Sequence, residues 1–191
     1  MEFLLWRSDR GDDFCVIKEP EIEDSWELDD AVPRLEKLSN PVRCRMDPDY
    51  PNEIRLSDNL EGGTVPVISN RTKEILETVV RNRVEYLPAE LINHKGRVEP
   101  AQYFVLHPLD LVDCIDTEAS GVQWNRISPG QISRCKSLVL KPDAIPANFT
   151  LFRLKHWGSN IIVREDVTEV LEKADLTGLY FRPAQGYKGI G

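Results

Sequence analysis

VISNRTKEILETVVRNRVEYLPA, residues 67–89, recurs without a gap 95 positions later as IVREDVTEVLEKADLTGLYFRPA, residues 162–184. EILE (74–77) aligns with EVLE (169–172), and Val84–Ala89 aligns with Leu179–Ala184. In the middle of each copy apolar residues recur at a spacing of three to four, Ile75, Leu76, Val79 and Val80 in one and Val167, Val170, Leu171 and Ala174 in the other. That spacing places them on one stripe of a helix. The flanking apolar runs are too short for helices and read as strands, so each copy reads strand, helix, strand. Units this small cannot bury an apolar face alone, and two copies are too few for a solenoid. The expectation is a single α+β domain in which the two units, related by internal repeat, lie on one mixed sheet with both helices on the same side.

Outward from the repeat, the boundary falls at Glu61-Gly62-Gly63. Residues 65–191 form the duplicated core, and residues 1–64 an acidic N-terminal segment of the same domain. In that segment Phe3–Trp6 and Phe14–Ile17 read as a strand pair joined by a small and acidic turn at residues 8–13. A short helix is expected through Leu35 and Leu38, and Pro41, Pro48 and Pro51 forbid a continuous helix over 40–53. Ser69 and Asn70 are placed to cap the first repeat helix, and Gly178 to close the second with a positive φ. Gln102–His107 and Ser137–Lys141 read as strands between the repeats.

A chain of 191 residues with 41% apolar content buries roughly 70% of its unfolded surface, enough for a core without covalent staples. The opening MEFLLWR is too short an apolar stretch for a signal peptide, and no run approaches membrane-spanning length. Cys15, Cys44, Cys114 and Cys135 are widely separated with no C-x-x-C pair, so they read as reduced thiols of a cytoplasmic protein.

Charge is distributed unevenly. Residues 1–64 carry 17 Asp and Glu against 8 Lys and Arg, whereas residues 65–191 carry 15 against 16. The acid is concentrated in Glu19, Glu21, Glu23, Asp24, Glu27, Asp29 and Asp30, interrupted by Ile22, Trp26 and Leu28. Such a stretch is either a solvated surface or a docking face for a basic partner, and it repels nucleic acid.

The remaining motifs point to no cofactor, metal or reaction. His107, Asp110, Asp113 and Asp116 would converge on a hard cation only if their segment were helical; in an extended segment residues three apart alternate faces. Asp47-Pro-Asp-Tyr-Pro-Asn52 opens like a calcium loop but lacks its glycine and later glutamate, and reads as a turn. His94, His107 and His156 fit no metal frame. Cys114 lies in an apolar context that makes a thiol inert. Arg81, Arg83, His94, Lys95 and Arg97 form a modest basic patch near Tyr86, outweighed by the net charge of −8. Gly186, Gly189 and Gly191 have no following helix and so make no phosphate cradle.

The series VPVISNR (65–71), YFVLHPLDLVDCID (103–116), SLVLKPDAIP (137–146), LFRL (151–154) and LTGLYFRP (176–183) resembles immunity protein family eleven of bacterial polymorphic toxin systems, over about residues 60–185. The resemblance implies a small cytoplasmic protein encoded beside a toxin and neutralising it by binding. It carries no catalytic motif and so transfers a role without site residues. The expectation is a non-enzymatic binder of a cognate toxin, with Glu21, Glu23, Asp24, Trp26, Glu27, Asp29 and Asp30 on the toxin-facing surface. The partner would be a basic, nuclease-like toxin domain, with no nucleic acid and no membrane involved. The alternative is a small enzyme or ligand-binding module, which would require convergent titratable groups in a concavity rather than one exposed face with aromatic and acidic anchors.

Overall fold

A computed structural model of the chain describes residues 2–190. In chain order its strands are β1 (Phe3–Ser8), β2 (Val42–Arg45), β3 (Asn59–Leu60), β4 (Val67–Ser69), β5 (Val84–Ile92), β6 (Tyr103–Pro108), β7 (Leu111–Val112), β8 (Gln123–Trp124), β9 (Ile132–Cys135), β10 (Leu151–Leu154), β11 (Trp157–Arg164), β12 (Leu179–Pro183) and β13 (Gly189–Ile190). The helices are α1 (Trp26–Asp29), α2 (Asn70–Val79) and α3 (Glu165–Lys173), in an α+β single domain.

Both repeat units form as read, β4-α2-β5 and β11-α3-β12. Ser69 caps α2, its Oγ accepting from the Thr72 amide at 3.2 Å. Arg164 stands at the equivalent position and cannot accept. Instead its guanidinium donates to Asp166 at 2.7 and 2.8 Å, and two acidic residues, Glu165 and Asp166, sit at the positive end of the α3 dipole. Gly178 does not close α3. The helix ends at Lys173 with Ala174 as its C-cap, followed by Asp175 in the left-handed region (φ 51°). Gly178 (φ 75°) serves a close approach, because a Cβ there would lie 2.3 Å from the Asn59 carbonyl oxygen.

The two units do not share a sheet. One sheet has the order β2-β5-β6-β4-β3 and the other β12-β1-β11-β10-β7, so the strands of Val67 and Ile162 are in different sheets. The reason lies in the strands themselves, which are apolar on both faces. Ile68, Tyr86 and Leu106 point to one side of the first sheet, and Val67, Leu87 and Val105 to the other. A single layer would leave one of those faces in water. The two units instead enclose a common core, to which the first contributes Ile68, Leu76 and Leu106 and the second Trp6, Val163, Val167 and Leu171.

The offset of 95 persists in space. Ile68 and Val163, Leu76 and Leu171, and Tyr86 and Phe181 all enter this core. Ile68 is paired with Phe104 as Val163 is with Leu4, and Tyr86 with Leu106 as Phe181 is with Trp6. The polar contacts are reciprocal as well. Asp58, just before β3, accepts from the Thr177 amide at 3.0 Å, and Asn82 accepts from the amide of Thr150, just before β10, at 2.9 Å. Asn82 and Thr177 are themselves 95 positions apart, so each unit grips the other in the same way, the pattern of a pseudo-two-fold.

In this arrangement β6 and β1 are equivalent, each lying between the two strands of its unit. That corrects the expected N-terminal strand pair: β1 is paired with β11 and β12, while Phe14, Val16 and Ile17 make only isolated bridges to Arg55, Glu61 and Met46. Ser137–Lys141 is likewise not a strand. Leu140 alone bridges, to Ile115, and the strand lies earlier, at β9. The helix expected through Leu35 and Leu38 is a single 3-10 turn, Leu35–Lys37.

The long connections cover the outer faces. Cys15, Ile17, Leu28, Val42 and Cys44 pack on Val67, Leu87 and Val105 of the first sheet. Cys114, Ile115, Ile132 and Leu138 pack on Leu5, Phe152 and Ile162 of the second.

Candidate functional site

The acidic segment forms a strap across the two sheets. Its only helix, α1, has four residues, too few to persist without tertiary contacts. Leu28 anchors it in the core under the first sheet. Two non-glycine residues with positive φ, Asp24 (51°) and Ala31 (55°), bend the chain on either side of α1. Beyond it the amides of Arg34 and Leu35 both donate to Glu85 Oε2 on β5, at 2.7 and 3.0 Å.

At the other sheet the strap meets Gly158 of β11, where a Cβ would fall 1.9 Å from the Asp29 carbonyl oxygen. Only glycine lets the backbones approach so closely. Gly158→Ala is expected to push α1 off β11 and to lower stability by about 1–3 kcal/mol, the range for overpacked sites. Thermal unfolding of the variant checks this, and an unchanged midpoint would show that the contact is dispensable.

Beneath the strap lie two buried titratable side chains. Arg153 of β10 is 1% exposed; its Nη1 donates to the Gly158 carbonyl at 2.6 Å and reaches Asp29 Oδ1 at 3.5 Å. Among the described residues its Nε and Nη2 have no partner. Burial lowers the Arg153 pKa to about 10 and raises that of Asp29, so desolvation outweighs the attraction of this pair for both members. His107 of β6 donates from Nε2 to the Val32 carbonyl at 2.9 Å, leaving Nδ1 unprotonated and unpartnered. Burial brings its pKa down to about 4.

The seven residues expected at the partner-facing surface fall into two groups. Glu21 pairs with Arg45 at 2.6 Å, Glu27 with Arg34, and Asp29 with Arg153. Glu23, Asp24, Trp26 and Asp30 are exposed; among the described residues the carboxylates of the three acids form no ion pair, and Trp26 is 61% accessible. Trp26, Asp29 and Asp30 line a groove of about 460 Å³ whose opposite wall is Asn125, Ser128 and Pro129 and which Trp157 also lines. Composition and periodicity do not single out the 125–131 loop. Its Asn125 Oδ1 accepts from the amides of Ile127 (2.8 Å) and Ser128 (3.1 Å), an Asx turn that holds Ile127 92% exposed at the tip. NRISPG (125–130), turn residues around one aliphatic side chain, was the available signal.

The other candidates do not assemble. Asp110 pairs with Arg83 and Asp113 with Lys155, each at 3.0 Å, while Asp116 accepts from the Ala119 amide and His107 lies under the strap. Among the described residues no group of three or more His, Cys, Asp or Glu is placed to hold a metal ion. Asp47 closes a turn on the Asp49 amide at 3.0 Å. Burial pushes the Cys114 thiol up to about 12, and Cys15 and Cys44 likewise. The basic residues separate to opposite ends of β5, with Arg81 and Arg83 before it and His94, Lys95 and Arg97 after it. Gly186 and Gly189 lie in the turn and strand that pack on the second sheet's cover, and Gly191 lies outside the described residues. Among the described residues no helix is long and apolar enough to cross a membrane.

A model of the Immunity protein family (Imm11) matches residues 10–186. The chain belongs to this family. The Imm11 match is broader than the stretch whose motifs resemble the family, taking in the whole strap and the groove as well as both repeat units. Family membership gives the chain a role in toxin immunity. No curated protein matches it.

Proposed function

We propose that this Imm11 protein neutralises one cognate toxin in the bacterial cytoplasm by binding it, without catalysis or a cofactor, and that the strap is the toxin-facing surface. The observation that supports the strap is its combination of rigidity and exposure: it is tied to both sheets while presenting Glu23, Asp24, Asp30 and Trp26 to solvent. Acidic rim residues steer a basic partner, and an exposed Trp supplies the contact that becomes buried. A toxin domain that acts on nucleic acid carries a basic substrate cleft and is the partner this surface fits. An enzymatic role would need convergent acid, base and nucleophile. Among the described residues the groove offers the two carboxylates Asp29 and Asp30 without a His or Cys.

The test is charge reversal of Glu23, Asp24 and Asp30 to Lys, sparing Glu27 because it holds Arg34. Association with the toxin encoded by the adjacent gene should slow about tenfold at low salt and less at high salt, with the fold intact. If association rate and protection of toxin-expressing cells are both unchanged, the binding face lies elsewhere.

A further inference from the structure

We infer that the groove between α1 and the 125–131 loop is a receptor for a cationic side chain, arginine or lysine, carried on an extended, apolar-flanked segment of the toxin. This rests on the toxin-binding reading above and specifies what the toxin must bring.

Four features converge. The Asp29 carboxylate is nearly half exposed and poorly neutralised, since Arg153 reaches only its Oδ1, at 3.5 Å, while making its short bond to the Gly158 carbonyl. Among the described residues Asp29 Oδ2 accepts no hydrogen bond, and Asp30 beside it is exposed and unpaired. No Lys or Arg lines the groove, so an entering cation meets two carboxylates, with the one nearby like charge, Arg153, buried behind Asp29 and turned to the Gly158 carbonyl. Trp26 offers its ring on the same wall, and an indole face attracts a cation, the more so as water is excluded.

The fourth feature concerns the backbone of the guest. Trp157 lines the groove and is 2% exposed, yet among the described residues its indole Nε1 donates to nothing. A buried donor without an acceptor is costly, and the carbonyl of an extended peptide would satisfy it once the indole turns toward the groove. Pro129 on the opposite wall provides apolar contact for a residue flanking the cation, and Ile127 stands exposed at the tip of the same loop. Carboxylates, an aromatic face and an indole donor together fit a peptide cation better than a metal ion, which would want further oxygen ligands.

The probe is acetyl-Leu-Arg-Leu-amide at millimolar concentration, compared with the same peptide carrying glutamine in place of arginine. Readout is the indole N–H resonances of the ¹⁵N-labelled protein. The arginine peptide should shift the Trp26 and Trp157 resonances, the glutamine peptide should shift them at least tenfold more weakly, and Asp30→Asn should weaken the arginine response severalfold. Asp30 and Trp26 are exposed, so Asp30→Asn and Trp26→Ala should keep the wild-type circular dichroism. Against the toxin, each should raise Kd at least tenfold. Equal responses to the two peptides, or no response at these indoles, would overturn the groove as a cation receptor. Toxin binding that survives both substitutions unchanged would also overturn it, while leaving the immunity role standing. A wild-type protein that neither binds nor protects against the toxin would remove the immunity reading, with the peptide arm still deciding the groove.

Discussion

Leu76→Ala and Leu171→Ala should each destabilise the chain by about 2–5 kcal/mol, the cost of a lost buried Leu together with the cavity it leaves. Both side chains are fully buried in the core between the two units, on α2 and α3, at positions 95 apart. A domain of this size has a total stability of about 5–15 kcal/mol, so either change removes a large share and the double variant should be largely unfolded. Because the two leucines share one core, their costs should also be coupled, with the double variant departing from the sum of the singles. Denaturant titration of the three variants checks this. If Leu171→Ala costs several kcal/mol and Leu76→Ala next to nothing, the units do not share the core equally and the two-fold description fails.

Acid should weaken the fold well above the range where the ion-paired carboxylates Asp113 and Asp166 protonate, and His107 is the reason. Its pKa lies at about 4 in the folded chain, below the ordinary value of 6.5, because burial disfavours the imidazolium more than the Val32 carbonyl favours it; Arg153 and Arg34 oppose it too, and Glu85 is on the favourable side. The unfolded chain therefore takes up a proton near pH 6.5 that the folded chain refuses until about pH 4. His107 gives its full stabilisation above pH 6.5 and loses it as pH falls toward 4, about 3 kcal/mol in all, with no further loss below. Asp113 and Asp166, held low by Lys155 and Arg164, lose their contribution only as pH falls through the usual carboxylate range and beyond, so the two windows separate. His107→Gln should flatten the difference in stability between pH 6.5 and 4 relative to wild type. Parallel pH profiles for the two proteins would show that His107 is not the titrating group.

What could be read from the sequence was what is encoded locally. The stripes of α2 and α3 and the runs on either side of them are complete within 23 residues, so both units were visible. Sheet membership was not, because β1 joins strands more than 150 positions away and nothing in Phe3–Ser8 names them. The consecutive apolar pairs Val67-Ile68 and Ile162-Val163 did hold the clue that each sheet is covered on both faces. The strap was visible as charge. Its division into Glu21, Glu27 and Asp29, which pair with arginines, and Glu23, Asp24 and Asp30, which do not, depends on Arg34, Arg45 and Arg153 arriving from elsewhere. The groove was hidden for the same reason, since one wall is α1 and the other a loop a hundred residues on. Asp110, Asp113 and Asp116 could converge on a cation only from a helix, and in the segment as it folds each carboxylate has a different partner.

The position of β1 has a consequence for how the protein is made. The first unit is contiguous, with β4, α2, β5 and β6 emerging within residues 67–108, and it can close as it leaves the ribosome. The second cannot. Its central strand is synthesised more than 150 residues before its neighbours β11 and β12, so Leu4, Leu5 and Trp6 wait through that interval before they are covered. Pairings that span so much of the chain are slow to form and leave apolar strands open in the interval. The second unit is therefore expected to close later than the first, and its closure waits on the docking of β1.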